Sequence, residues 1–507
     1  MPLVDVNNPD RSLTSRTSRT SLTAVAAIIL VTVAAWLPSL APYVPVAEDF
    51  SNAHVPNPGV NAYWQWFLSH SQQEGLWRVV GLPFTDFARN LHPLGFPLLS
   101  ILFHGINGGL TGLLCRRLGA SRQLSFGAAL CFAVLPAAVE ANLYAVASQS
   151  IQATTVFLLL ALSLARVMRD ERPRLRNLAW CFMAAFVGNT TQENLLIAYV
   201  VLPVAVAHVL RPIPAWTRAN LESALAYSAC TFLAVATYAG VTMSLRTGPT
   251  KAIGINLTTL VSFPAYQYTN LFPYEIWAHP DLVAVALGHQ PLIVVVLSAA
   301  LLVAGLVLAR PVFQTRSSAA DAPTRARERR ILEAAIALWY SAGLIFVLGG
   351  GYSFESRKKY VTLMFLSVVM AFVATRIIQA ARDRRWRRLA VAGAAVLVVV
   401  TAATTWMVSS LWVLETQRGA ALVRVLIAHP EIKTVHVRFM PDILDQWPRW
   451  VSLASSQHSS AWVTEFAMEL RFNRSLQRVP TAEAGAAVIE CRYLEGQDAE
   501  CHLVGSP

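Results

Sequence analysis

Charge is what this sequence has least of. Only 14% of its 507 residues are Asp, Glu, Lys or Arg, 55% are hydrophobic, and the mean hydropathy is +0.46. A soluble globular chain carries about 25% charged residues. A set of water-exposed domains joined by polar linkers is therefore excluded. No Walker loop, G-x-G-x-x-G, H-E-x-x-H, heptad array or low-complexity tract occurs, which removes the usual signals of nucleotide binding and of a zinc hydrolase. Neither half of the chain repeats the other, which weakens a transporter reading. Cysteine is scarce, with six in all. Cys115, Cys131, Cys181 and Cys230 fall within or at the ends of apolar runs, where a thiol packs as a small apolar group. Cys491 and Cys501 alone lie in the tail, without metal-ligand spacing, and a disulfide between them suits an oxidising compartment.

What the chain does have is a succession of apolar runs, each followed by a short charged or turn-rich stretch. A bilayer demands that pattern, because a span must cross about 30 Å and satisfy its own backbone hydrogen bonds. The runs predict spans at 22–43, 93–115, 124–138, 143–167, 178–188, 195–210, 221–243, 291–309, 331–348, 360–378 and 389–414. The pair 178–188 and 195–210 is short, so it reads either as two spans or as a re-entrant hairpin. The expected fold is an all-α polytopic membrane protein of about 11 transmembrane helices with a small α/β extracytoplasmic C-terminal domain. Its parts are a cytoplasmic arm (1–21), a membrane domain (22–414) with outer loops 44–92 and 244–290, and the tail (415–507). Strand-like runs at 435–439 and 486–489 and a helical stretch at 460–472 furnish that tail.

Cations set the orientation. The arm and the segments 116–122, 166–176, 211–218, 310–330 and 376–388 hold about 25 of the 41 Lys and Arg, whereas the opposite loops hold about seven. By the positive-inside rule the first group is cytoplasmic. The formal charge of +12 is thus a topology signal and an attraction to anionic membrane lipid, not a nucleic-acid footprint. Arg outnumbers Lys about nine to one and Ala and Val abound, as in a GC-rich bacterial genome. The expected location is a bacterial inner (cytoplasmic) membrane, with the N-terminus in the cytoplasm and the C-terminus outside.

Polar chemistry gathers on the outer face. The first outer loop opens with Glu48 and Asp49 and continues through Trp64 and Trp66, aromatics spaced for a helix lying in the interface. A second element, Gly188-Asn189-Thr190-Thr191-Gln192-Glu193-Asn194, puts the Glu193 carboxylate close to hydrocarbon, where it is costly and a functional candidate. A third, Arg357-Lys358-Lys359-Tyr360, sets three cations against the charge trend, suited to clamping a lipid phosphate. Each has a plain alternative: a solvated loop entry, an interfacial acid, and snorkelling cations. The loop 244–290, with Tyr266, Tyr268, Tyr274, Trp277 and His279, reads equally as a lid or as an aromatic belt.

The order of these elements resembles the GT-C superfamily of membrane glycosyltransferases over roughly residues 22–380. The resemblance rests on the acidic pair in the first outer loop and on a second span opening His92-Pro93-Leu94-Gly95-Phe96. That span continues Leu102-Phe103-His104-Gly105-Ile106-Asn107 and is followed by Arg116-Arg117-Leu118. Gln192-Glu193 stands where such proteins often carry Lys-Glu, and Arg357 with Tyr360 where they carry a late Arg-Tyr. The resemblance implies transfer of a sugar from a polyprenyl-phosphate donor to an acceptor glycan, lipid or protein, by an inverting mechanism. Asp49 would be the general base and Glu48 its support or substitute, with Glu193 a second acid. Arg357, Lys358, Lys359, Tyr360, His92, Trp64 and Trp66 would bind substrate. A Mg²⁺ or Mn²⁺ ion bridging Glu48 or Asp49 to the phosphate fits carboxylate chemistry, but no ligand set is evident. A flippase of lipid-linked glycans and an inactive glycosyltransferase-like scaffold are the competing readings. The first should carry charges along its spans, and the spans here are nearly free of them.

Overall fold

Long runs of Ala, Leu and Val with few breakers fold into twelve α-helices among the described residues of the computed structural model. Those residues are 9–41, 76, 92, 94–138, 142, 148–169, 173–191, 195–246, 274–314, 322–348, 356–381, 383–440, 477–478, 485–492 and 500–505. The helices are α1 (Pro9–Trp36), α2 (Gly95–Arg117), α3 (Arg122–Val134), α4 (Gln149–Val167), α5 (Leu175–Thr191) and α6 (Leu196–Leu210). They continue with α7 (Arg218–Leu245), α8 (Pro280–Gly288), α9 (Leu292–Gln314), α10 (Ala322–Leu348), α11 (Ser356–Ala380) and α12 (Arg384–Ala428). Six of them, α2, α4, α7, α9, α11 and α12, contain a stretch long and apolar enough to cross a membrane. The apolar parts of α1, α3 and α6 are shorter.

Proline trims several of the expected runs. The first ends its α-helix at Trp36 and continues as a 3-10 turn at Leu37–Ser39, which contains Pro38. The run expected at 124–138 stops at Val134, ahead of a 3-10 turn that begins at Pro136. Both follow from the missing N–H of proline and its bias of the preceding residue toward extended backbone. The short pair emerges as α5, of 17 residues, and α6, of 15, each shorter than the ~20 residues a full span needs.

At the centre, α3 packs against α2, α11 and α1, while α4 lies against α2 and α5. Further out, α6 meets α7 and α10, α7 meets α5, and α1 pairs with α9. The α2–α3 approach is close because α2 presents Gly108 and Gly112. A Cβ at Gly112 would stand 2.8 Å from the Ser125 carbonyl and 3.0 Å from the Ala129 methyl. Small residues four apart let two backbones meet in this way. Gly119, with φ +94°, closes the turn between these helices.

One end of the bundle is held by ions. The Glu328 carboxylate of α10 is fully buried and accepts a 3.1 Å bond from the Ser121 N–H at the N-cap of α3. Arg376, near the end of α11, approaches its other oxygen to 3.2 Å, an ion pair without hydrogen-bond geometry. A carboxylate at a helix N-terminus is favoured by the unpaired N–H groups and dipole there. Arg169 also donates to the Arg117 carbonyl at 2.6 Å. The described stretches 116–122, 166–169, 322–330 and 376–381 therefore gather at this end.

α12 runs 45 residues, about 67 Å at 1.5 Å per residue. Thr405 donates to the Val134 carbonyl, and Ser298 and Thr404 receive the Trp406 and Trp277 indole N–H groups, which tie α12 to α3, α9 and the 3-10 turn Tyr274–Ala278. The helix does not end near 414, where the membrane domain was expected to close. It continues to Ala428, and Ala421, Leu422 and Leu426 pack on the sheet. That sheet is ordered β2 (Gln477–Arg478), β1 (Thr434–Met440), β3 (Ala487–Arg492), β4 (Glu500–Gly505), parallel except for β3–β4. Cys491 and Cys501 are register partners on β3 and β4 and are disulfide-bonded. The helix expected at 460–472 lies outside the described residues.

Candidate functional site

The end of the bundle away from Glu328 carries the starts of α2, α4, α6 and α11. Glu48, Asp49, Trp64, Trp66 and Glu193 lie outside the described residues. His92 is exposed, and its Nδ1 accepts from the Leu94 N–H at 3.1 Å while its carbonyl accepts from the Gly95 N–H. This is a local turn that launches α2.

Arg357, Lys358 and Lys359 occupy the first turn of α11. Cations at a helix N-terminus oppose the macrodipole by about 0.3–1 kcal/mol each. The helix itself gains nothing from them there. The residue that follows them, by contrast, is fixed firmly.

Tyr360 is fully buried. Its hydroxyl lies 2.9 Å from His104 Nδ1 and accepts a 3.3 Å bond from Asn107 Nδ2. Asn107 Nδ2 also donates to the Ile151 carbonyl at 2.9 Å, and its Oδ1 accepts from the Thr155 hydroxyl at 2.8 Å. His104 Nε2 faces the Phe132 and Ala133 carbonyls without a well-formed hydrogen bond. One assignment satisfies the chain: Thr155 donates to Asn107, Asn107 to Tyr360, and Tyr360 to an Nε2–H tautomer of His104. The rings of Trp36 and Phe132 enclose His104 at 5.1 and 4.9 Å. Helices α1, α2, α3, α4 and α11 thus converge on one buried polar chain. Tyr360, expected to touch substrate, is here an anchor of α11 within the core.

A further set of polar groups was not singled out from the sequence. Asn142, Gln149, Ser150, Asn189 and Tyr199 are buried, and their side-chain polar atoms have no hydrogen-bond partner among the described residues. Tyr199 on α6 reaches α5, its hydroxyl filling the space where a Cβ on Gly188 would stand. Only glycine fits there. Asn189, near the end of α5, and Tyr199, in the first turn of α6, stand on either side of residues 192–194 in the sequence, and Gln149 opens α4. The available signal was Asn142, Gln149 and Ser150, amides and a hydroxyl inside an otherwise apolar run. Buried unpaired polar groups are uncommon and call for a partner such as water or a ligand. Among the described residues, no three His, Cys, Asp or Glu side chains are grouped to hold a metal ion.

No family model matches this sequence, and no curated protein matches it.

Proposed function

We propose that the chain is an inverting glycosyltransferase that moves a sugar from a polyprenyl-phosphate donor to an acceptor glycan, lipid or protein at the outer face of the membrane. In this reading the helices make about eleven passes, the cation-rich end is cytoplasmic, and the sheet stands outside a bacterial inner membrane.

The observation that carries the reading is the placement of Arg357, Lys358 and Lys359. They lie in the first turn of α11, immediately ahead of the anchored Tyr360 and at the end of that helix away from the Arg376–Glu328 pair. A phosphate headgroup at that level would meet three consecutive cations, and the unpaired Asn189 and Tyr199 are candidate donors to sugar hydroxyls.

The reaction follows from these roles. The acceptor hydroxyl attacks the anomeric carbon as Asp49 takes its proton, and the bond from that carbon to the phosphate oxygen breaks. The leaving polyprenyl phosphate gains charge, which the three cations offset. Glu48 orients or replaces Asp49, Glu193 is the second acid, and Trp64, Trp66 and His92 border the sugar. Mg²⁺ or Mn²⁺ is an optional partner of the carboxylates.

The test is transfer from a polyprenyl-phosphate sugar by the purified protein in detergent. Asp49→Asn keeps size and shape but removes the proton acceptor, so the rate should fall about 10²–10⁴-fold. Glu48→Gln should cost less. Near-normal transfer in both variants and in the double variant refutes the acid pair. The unpaired amides inside the bundle suit a flippase as well; movement of intact lipid-linked glycan across vesicles, without transfer, would favour that reading.

A further inference from the structure

At the opposite, cation-rich end, the C-terminal ends of α4 and α6 meet the start of α7 around a small cleft of about 20 Å³, open on one side. That is room for about one water-sized group, so only a projecting polar group of a ligand can enter. Its wall is divided by chemistry. Met168 and Leu210 form an apolar side, and Arg211, Asn220 and Ser223 a polar one, with the Trp216 indole beside them.

The polar groups are short of partners. Among the described residues the Arg211 guanidinium makes no ion pair or hydrogen bond; its main-chain N–H donates to the Ala207 carbonyl at 2.9 Å and its main-chain carbonyl accepts from the Trp216 indole N–H at 2.8 Å. A cation following the end of α6 is favoured by the helix dipole, but none of its guanidinium N–H groups bonds a carbonyl of that helix. Ser223 is 4% exposed, and its hydroxyl has no partner there. Asn220 uses its Oδ1 on the Thr217 N–H in the capping box of α7, which leaves its NH₂ free. Guanidinium, hydroxyl and amide N–H are all donors, and no described carboxylate lines the cleft. The nearby Glu222 is turned to Arg218 at 2.8 Å on the exposed face.

We propose that this cleft binds the headgroup phosphate of an anionic phospholipid. The phosphate sits against Arg211, with Ser223 and Asn220 donating to its remaining oxygens. Met168 and Leu210 take the first carbons of an acyl chain. The tryptophan lies at the depth where indoles favour the headgroup layer. The site clamps the ends of α4, α6 and α7 in register, so these helices are held by lipid as well as by packing. It stands independently of the glycosyltransferase reading, since only a chain in a bilayer is required.

The full-length protein, reconstituted in equimolar phosphatidylcholine and phosphatidylglycerol and extracted into mild detergent, should retain phosphatidylglycerol in preference, read by native mass spectrometry. Arg211→Ala should lower that retention about tenfold or more, and Ser223→Ala by a smaller factor. Arg218→Ala removes a neighbouring cation outside the cleft and should behave as wild type. Ser223→Ala is mild enough to carry the test should Arg211→Ala fail to fold. Unchanged retention in both cleft variants overturns the proposal, as does an equal loss in Arg218→Ala, which would mean general charge attraction. Displacement of the lipid by excess inorganic phosphate would assign the cleft to the free anion and likewise overturn it.

Discussion

Tyr360 on α11 and His104 on α2, 256 positions apart, share a 2.9 Å hydrogen bond in the core of the bundle. That bond fixes the height at which the cationic first turn of α11 stands relative to α2. It is a positional device, since both side chains are fully buried. Removing the hydroxyl should therefore act first on stability. Tyr360→Phe leaves His104 Nδ1 and one Asn107 N–H unpaired, and should lower stability by about 1 kcal/mol. The thermal midpoint of the purified protein in detergent reads this directly; an unchanged midpoint would mean the bond contributes nothing.

The α2–α3 contact gives a paired test. Gly112→Ala would force its methyl into the Ser125 carbonyl, a backbone atom that cannot swing aside, and should cost about 1–3 kcal/mol. Gly109, three residues earlier on α2, has nothing within 4 Å of the position a methyl would take. Gly109→Ala should be neutral or slightly stabilising, because alanine is the better helix former. Equal effects at the two positions would contradict the close approach.

At the cation-rich end, Glu328→Ala leaves Arg376 and the Ser121 N–H without their common partner. Breaking a buried pair from one side typically costs about 3–5 kcal/mol, so this variant should express poorly or unfold early. The Glu328→Ala/Arg376→Ala double variant should lose less than the sum of the singles, as coupled neighbours do. Strict additivity in unfolding measurements would separate the two residues.

The donor site is tested by replacing Arg357, Lys358 and Lys359 together with Ala. Because cations are unfavourable in the first turn of a helix, folding should survive or improve slightly. Binding of polyprenyl phosphate should weaken by at least tenfold, charge-assisted phosphate contacts each contributing ~1.5–3 kcal/mol. Donor affinity equal to wild type would remove the clamp.

Sidedness is checked by compartment-sensitive reporters fused within residues 315–321 and after the sheet. They should report opposite compartments, the first cytoplasmic. The Cys491–Cys501 bridge agrees with an oxidising location for the sheet. Both reporters in one compartment would overturn the orientation.

Much of the architecture was legible from local patterning. The helices at 95–117, 149–167, 218–245 and 292–314 lie close to the apolar runs that announced them, because a bilayer-length apolar stretch has few structures open to it. The strands at 434–440 and 487–492 likewise fall on the two short β-branched runs of the tail. Helix ends were less legible. Pro38 and Pro136 shortened two expected runs, and the expected break after 414 vanished because Ala421, Leu422 and Leu426 had a sheet to pack on. The polar stretch Glu415-Thr416-Gln417-Arg418 marks where the apolar run gives way, but polar residues do not end a helix that has a further surface to pack on.

The candidate site divides in the same way. By itself the sequence determined that cations collect in one set of segments, that Arg357, Lys358 and Lys359 break this rule, and that histidine and asparagine stud the second apolar run. Only the tertiary structure decided that His104 and Asn107 bind Tyr360, that Asn189 and Tyr199 are buried with unpaired polar atoms, and that Arg211 and Ser223 share a cleft. Hydropathy is a property of neighbours along the chain and can be read locally. A hydrogen bond across 256 positions depends on how helices pack, and that is settled by the close approach at Gly112 and by the fit of side chains from five helices at once.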